Sequence, residues 1–413
     1  MKDAAAVRNV SKILSLYPKD QLIVVVSAMG KTTNATEAIV DALWNRNEER
    51  YFELVEERHR FHQAIVKDLF PDSHFRIYSE LDSIFDRLRE KYSEPAGDNY
   101  SFLYDQIVSL GEVLSSVILE AFLKEEGHST FWADARKLIR TNHSYQEGEV
   151  EWGKTEQFIK ERLLPEFKTK RIAVTQGFVG HTSEGFTTTL GREGSDFSAG
   201  ILAYCSDAQS VTIWKDVPGM LNADPKWFDD TVKLQQISFK EAIELAYYGA
   251  TVIHPKTIKP LQNKNISLYV KSFVHPNEQG TVIQSSMDFD HLVPSFIFKM
   301  EQVLMSFTPK DFSFIVEENL GEIFAKLAEC GVKLNLMQNS ALSFSILFDR
   351  KKMDPETLLK EFGDKYEIRY NEGLELVTIR HYDQATIDRV TADKQILVEQ
   401  RTRQTIRIAM KNN

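Results

Sequence analysis

Between Phe186 and Lys226 the chain runs strand, turn, helix, strand and loop without a break, and that order commits it to the α/β proteins. β-rich Thr187–Leu190 feeds a turn holding Gly191 and Gly194, where a missing Cβ lets the backbone approach a ligand or take a positive φ. Ser195 is placed to cap a helix, with Phe197, Ile201, Tyr204 and Cys205 recurring at helical spacing behind it. Free N–H groups at such a start attract anions, phosphate among them. Arg192, Glu193 and Asp196 crowd the same turn. A carboxylate repels a neighbouring phosphate unless a cation stands between them, so Asp196 points to Mg²⁺ or a substrate ammonium. Taken alone, these residues fit a capped turn with surface charges equally well. Lys215-Asp216, closing the strand Ser210–Trp214 ahead of Val217-Pro218-Gly219, tips the reading toward function, because open α/β sheets carry ligand loops at strand C-termini.

A length of 413 residues exceeds what one compact core holds and predicts two or three domains. The net charge of −10 disfavours nucleic acid and anionic membrane as partners, so an anionic ligand needs a local cationic pocket. Cys205 and Cys330 fall on separate predicted helices with no pairing or metal-ligand spacing, which suits a reduced, cytoplasmic setting. No apolar run approaches the roughly 20 residues that span a bilayer, and the N-terminus lacks a basic-then-apolar signal pattern.

In chain order, Val7, Val10, Ile13 and Tyr17 share a helical face, and Leu22–Val26 is a β-branched run expected of a strand buried on both faces of a parallel sheet. The loop Ser27–Asn34, with Ser27, Lys31 and Thr33, is a ligand-loop candidate and only weakly like a phosphate loop. Residues 34–126 are mostly helical. Within them Glu112, next to Gly111 in an apolar stretch, is a candidate for burial against a ligand, the plain alternative being an exposed Glu. His128–Ala133 and Arg171–Gln176 read as strands, Thr155–Leu164 as a helix and Gly177–Gly185 as a loop. Ser238 and Glu241 form a capping box for a helix closing at Gly249, and His254 before Pro255 reads as structural. Beyond a boundary at 275–295, the elements follow the β-α-β-β-α-β order of a ferredoxin-like module, then a shorter second cycle.

Together, Thr189–Asp196, Trp214–Gly219 with Asp224-Pro225, and Glu241 through Gly249–Pro255 resemble the aspartate kinases of the amino-acid kinase superfamily. The resemblance covers nearly the whole chain. It implies an α/β fold in which 1–285 form an amino-acid kinase-type αβα sandwich with a mostly parallel sheet. Ferredoxin-like βαββαβ ACT modules follow, at 296–370 and, shortened, at 371–413. It further implies ATP-dependent phosphorylation of the L-aspartate β-carboxylate with Mg²⁺, in the cytoplasm, under feedback by lysine or threonine. A homodimer through the ACT-like modules is expected, with no nucleic acid or membrane partner. By the same resemblance Arg192 holds the substrate α-carboxylate and Glu112 its ammonium, with Ser27, Thr33 and Ser195 completing the pocket. Asp196 organises the Mg²⁺ and cation cluster. Lys215, Asp216, Leu221, Lys226 and Thr251 fall at nucleotide-contacting positions, and Asn319, Gly321, Asn335, Asn339 and Ser340 at effector positions.

Glu193 stands where many members have Gly, Leu221 where Tyr is frequent, and Thr251 where Lys is common. The family's opening strand, with Lys-Phe-Gly-Gly-Thr-Ser-Val and a catalytic lysine, has no counterpart, since the chain starts Met1-Lys2-Asp3 at the following helix. Either the start is assigned too late and the natural protein carries this segment, the reading favoured by the persistence of the other site residues, or the chain is truly shortened. As it stands it is expected to bind aspartate weakly and turn over poorly. The rival readings are an amino-acid-binding paralogue without catalysis and a kinase acting on glutamate or N-acetylglutamate.

Overall fold

The computed structural model describes residues 1–412 apart from Ser73, Ala96, Thr251, Leu292 and Phe312. The first elements are α1 (Ala4–Leu14), β1 (Leu22–Val26), α2 (Thr32–Trp44), α3 (Glu48–Leu69), α4 (Arg76–Glu90), α5 (Tyr100–Val108), α6 (Leu110–Glu125) and β2 (Thr130–Ala133). Then come α7 (Trp152–Phe158), β3 (Ile172–Gln176), β4 (Val179–His181), β5 (Thr187–Thr189), α8 (Gly194–Ser206) and β6 (Ser210–Lys215). After β7 (Gln236–Ser238) and α9 (Phe239–Tyr248) follow α10 (Pro255–Lys264), β8 (Ser267–Ser272) and β9 (Thr281–Gln284). The remainder is β10 (Ser295–Pro309), α11 (Glu317–Glu329), β11 (Leu334–Asn339), β12 (Phe344–Asp349), α12 (Pro355–Phe362), β13 (Tyr366–Arg380), α13 (Gln384–Thr391), β14 (Lys394–Arg401) and β15 (Thr405–Asn412). These form two compact units, Met1–Pro218 with Ile253–Ser285, and Gly219–Val252 with Ser286–Asn413. Gly219–Val252, inside the range expected of the catalytic domain, thus groups with the C-terminal part.

In the first unit β1, β3 and β2 form a parallel sheet in that order, with Val24 and Trp132 both opposite Val174. Only the central strand β3 is buried throughout; β1 pairs on one side alone, and of its β-branched run only Val26 is buried. Alternation along β3 sends Ile172 and Val174 into a core shared with Leu54, Ile65, Phe85 and Leu119, while Ala173 meets Ile159, Leu163, Ile201 and Leu202 on the other face. Helices therefore cover both faces, the layering expected of an αβα sandwich. A second set pairs β6 with β8 in parallel and β8 with β9 antiparallel. The expected loop Gly177–Gly185 instead contains β4, which pairs with β5 as a hairpin.

Helices α5 and α6 run end to end as a 26-residue segment, Tyr100–Glu125, apolar and long enough by composition to cross a membrane, contrary to the sequence reading. Of its most apolar window 72% is buried inside the fold, as for the core helix of a globular unit.

In the second unit six strands form one sheet in the order β11-β12-β10-β13-β15-β14. Two ferredoxin-like modules share it, because β10 and β13 each serve both. Gln302–Pro309 pairs with β12 and with the first half of β13, whereas Ser295–Lys299 pairs with Leu376–Arg380. The switch falls at a register break around Glu301, whose φ is +55°. The shortened second cycle thus takes a further strand from residues expected at the head of the first. Helices α11 and α12 cover Val303, Met305, Phe307, Ile346 and Phe348, and α13 covers Val377, Ile379, Ile406 and Ile408. On the opposite face Leu304, Leu336, Leu347, Leu374 and Leu376 gather. The sheet curls far enough for Gln400 Nε2 on β14 to donate to the Met337 carbonyl on β11 at 2.6 Å.

The capping box forms by half. Ser238 Oγ accepts the Glu241 N–H at 2.9 Å, but the Glu241 carboxylate turns inward to Arg380.

Candidate active site

The first unit contains a cavity of about 560 Å³ at the C-terminal ends of β1 and β6. Ser27 and Thr33 reach it from the β1–α2 loop, Glu112 from the start of α6, Arg192, Ser195 and Asp196 from the turn into α8, and Lys215 from the end of β6. Every substrate and catalytic residue named from the sequence lies on this one wall. Asp216 follows Lys215 and is exposed. Leu221 and Lys226 belong to the second unit, and Thr251 lies outside the described residues.

Close backbone approaches set these positions. A Cβ on Gly111 would lie 3.0 Å from Ala28 Cβ and 3.1 Å from Thr32 Cγ2, so glycine lets α6 start against the β1–α2 loop. Glu112 is thereby delivered to the Ala28 N–H, which donates to Oε1 at 3.3 Å. Its Oε2 is buried with no hydrogen-bond partner, and burial pushes the carboxyl up to about 7. Gly177 does the same for Ser195, whose Oγ would lie 2.6 Å from a Cβ there.

Helix α8 begins two residues earlier than a Ser195 cap would place it, at Gly194. Glu193 occupies the cap position without a side-chain cap bond, and Ser195 lies inside the first turn. Glu193 has φ +55° in the left-handed region that suits glycine, and its Oε2 is buried without a hydrogen-bond partner. Asp196 Oδ2 accepts from Lys215 Nζ at 2.8 Å, linking the helix start to the end of β6. Arg192 is exposed and makes no ion pair among the described residues.

Sequence reasoning passed over Glu37, Tyr104, Gln146 and Glu147, which also line the cavity. Glu37 was within reach, one helical turn after Thr33; Gln146 and Glu147 lie in a loop with no local signal. Behind the wall Asp105 is fully buried. Its carboxylate accepts the Gln146 N–H at 3.0 Å, the Thr189 N–H at 2.9 Å and the Thr189 hydroxyl at 2.7 Å. Burial outweighs these donors and pushes it up to about 6.

His254 caps α10, its Nδ1 accepting the Lys256 N–H at 3.1 Å, the structural role expected. In the second unit Asn319 accepts the Val316 N–H at 3.1 Å, Gly321 has open space where a Cβ would stand, and Asn339 and Ser340 are exposed. Asn335 is spent internally, accepting from Lys299 at 2.7 Å and donating to Gln302 at 2.7 Å and Asp349 at 3.2 Å. It lies four residues, roughly 13 Å, along β11 from Asn339.

Residues 1–272 match the family model described as the amino acid kinase family. Lysine-sensitive aspartokinase 3 of Escherichia coli (strain K12) is 29% identical over 380 residues, covering 90% of this chain and 83% of that protein. The solved structure of E. coli aspartokinase III with aspartate and ADP (R-state) is similar at TM-score 0.78 and 25% identity, covering 98% of this chain and 93% of that one. Its complex with lysine and aspartate (T-state) gives 0.79 and 26%, covering 99% and 93%. The chain spans 31% to 41% of the bifunctional aspartokinase/homoserine dehydrogenases it also matches.

Proposed function

The chain belongs to the amino acid kinase family, and from that premise we propose that it is an aspartate kinase, carrying the γ-phosphoryl group of ATP to the β-carboxylate of L-aspartate. The observation that carries the reading is a pair of uncompensated opposite charges in one cavity. Among the described residues Arg192 has no carboxylate and Glu112 no cation, and both line the space that holds the Asp196–Lys215 pair. A zwitterion with a second carboxylate complements that arrangement. Arg192 takes the α-carboxylate in a fork-to-fork contact, Glu112 takes the α-ammonium, and Ser27, Thr33 and Ser195 supply hydroxyls around them.

The β-carboxylate oxygen then forms a bond to the γ-phosphorus as the bond to ADP breaks. Such a transfer asks for alignment and charge neutralisation rather than a covalent enzyme intermediate. Lys215 provides a cation for the phosphoryl oxygens, and Asp216 is assigned a nucleotide contact. Five carboxylates, Glu37, Glu112, Glu147, Glu193 and Asp196, line the cavity against two cations, Arg192 and Lys215. That excess suits Mg²⁺. Among the described residues no group of three or more acid, histidine or cysteine side chains is arranged to hold a metal. Asp196 would therefore hold Mg²⁺ together with phosphate oxygens and water, as this ion prefers. When bound, it supplies charge neutralisation at the transferring group.

The second unit is assigned to feedback by lysine or threonine at Asn319, Gly321, Asn339 and Ser340, a reading supported by the lysine complex of the E. coli relative. Exposed Phe314, Val316 and Leu342 support a homodimer through this unit. A cytoplasmic location accords with two cysteines that are both free.

A coupled ADP-release assay comparing aspartate, glutamate and N-acetylglutamate, paired with calorimetric titration of aspartate, tests the proposal. Stimulation by aspartate alone is expected. Greater stimulation by either alternative substrate overturns it in favour of another amino-acid kinase, and aspartate binding without ADP release in favour of a sensor.

A further inference from the structure

The second unit holds a cavity of about 390 Å³ that shares no residue with the candidate active site. Its floor is aromatic. The rings of Trp227 and Phe298 lie 5.7 Å apart, tilted by 31°, and Trp227 remains 45% exposed, so a broad flat face stays open. Met300 extends the apolar surface at 38% exposure. The rim is charged, with Arg389, Lys394, Lys411 and Glu375 among the lining residues, and Asp230 beside Arg389 leaves an excess of one cation. Lys394 pairs with Glu375, and Arg389 is held over the Phe228 ring by Asp230 at 2.5 Å. Lys411 makes no ion pair among the described residues.

An exposed indole stacked near a second ring, beside an ammonium with no ion-pair partner among the described residues, complements one kind of guest. We propose that this cavity binds a small carboxylate with a flat apolar body, its ring on Trp227 and Phe298 and its carboxylate on Lys411 and Arg389. A bare inorganic anion would leave the aromatic floor unused, and an organic cation would meet Lys411, unpaired among the described residues, beside the already paired Arg389 and Lys394. The volume is at the lower end of the range for ligand sites and suits a single-ring molecule.

Calorimetric titration of the full chain tests this, with 3-phenylpropionate as probe, phenethylamine as the charge-reversed control and acetate as the control lacking a ring. Expected is a Kd for phenylpropionate below about 1 mM, with both controls at least roughly tenfold weaker. Trp227→Ala and Lys411→Glu should each weaken binding about tenfold. Lys411 is on the rim, so its variant keeps the test valid even if removal of the indole impairs folding. Binding of phenethylamine as tight as phenylpropionate, no binding below about 10 mM, or an undiminished affinity in Lys411→Glu overturns the assignment. No turnover enters the measurement, so failure of the kinase reading leaves this result untouched.

Discussion

Glu112 and Glu241 are buried to the same extent, 3% exposed each, in opposite surroundings. Glu241, in the second unit, receives two hydrogen bonds from Arg380 at 3.1 and 2.5 Å, and His381 Nε2 lies 3.2 Å away. Glu112, in the first, has one long backbone bond at 3.3 Å and an oxygen with none. Burial works to raise both carboxyls. At Glu241 the His381 ring and Arg380 guanidinium outweigh it and hold the group below its ordinary value, while Glu112 rises to about 7. A buried acid is partnered either by its own chain or by something from solution. The first kind holds a fold together, and the second marks a place where a cation is expected.

The comparison breaks most readily at Arg380. Arg380→Ala leaves Glu241 buried opposite a missing guanidinium, and the expected loss is about 3–5 kcal/mol in denaturant unfolding of the second unit. Aspartate affinity, measured by calorimetry, should stay unchanged. A loss under about 1 kcal/mol would mean the pair is not structural and that equal burial says nothing of role.

Glu112→Gln probes the other side. The neutral amide cannot pair with an ammonium, so the Kd for aspartate should rise about 10- to 100-fold. Stability should move the opposite way, because a buried charge is removed. The folded-state value near 7 exceeds the usual 4.5, so the stability tied to Glu112 is full below the lower value and is lost as pH rises through about 7. From pH 5 to 8 the natural chain should lose stability relative to Glu112→Gln. Glu241, held low, reverses the sign: its contribution is present at neutral pH and lost on acidification. Parallel melting curves for the two proteins across that range would remove the distinction.

The same contrast explains what could be read from the sequence. Glu112 was legible because its cues are local, a glycine beside an acid inside an apolar helix. Arg192, Ser195 and Asp196 sit within one turn, and Lys215-Asp216 ends a recognisable strand. Glu241 was misjudged in part, since the three-residue spacing from Ser238 suggested a reciprocal cap while its actual partner is 139 residues away. Long-range ion pairing leaves no mark on spacing. The sharing of β10 and β13 by two modules was hidden for the same kind of reason, because on β10 no glycine or proline marks the break at Glu301, and Gly373, at φ +67° on the facing stretch of β13, is tied to it only by the long-range pairing. Asp105 sat unnoticed seven residues ahead of Glu112 because its donors are distant in sequence, Gln146 in a loop and Thr189 at the end of β5.

Asp105 sharpens the comparison as an intermediate case, a buried acid satisfied by neutral donors rather than by a cation. Asp105→Asn sets an amide NH₂ against N–H and O–H groups that need an acceptor. The expected cost is about 1–3 kcal/mol in unfolding. Because Gln146 and Thr189 brace the cavity wall, aspartate affinity should weaken a few-fold as well. Asp105→Glu, which keeps the charge but shifts it, should recover stability less than a simple volume argument predicts. Full stability in Asp105→Asn would show that the Gln146 loop and the end of β5 hold their places without it.

The smallest expected effect is at Glu193, and it separates strain from service. A non-glycine residue at φ +55° costs roughly 1 kcal/mol, and Oε2 adds a buried atom without a hydrogen bond. Glu193→Gly should therefore raise stability by about 1 kcal/mol in denaturant unfolding. The residue also adds one of five carboxylates to the cavity, where the nucleotide phosphates are proposed to bind. Its removal should tighten ADP binding without Mg²⁺ about two- to fivefold, and flatten the gain that added Mg²⁺ brings. If stability rises while ADP affinity is indifferent in both conditions, the turn is merely strained. If the two shift together, the chain keeps an unfavourable backbone at this corner because the carboxylate helps place a cation, and Glu193 then stands with Glu112 rather than Glu241.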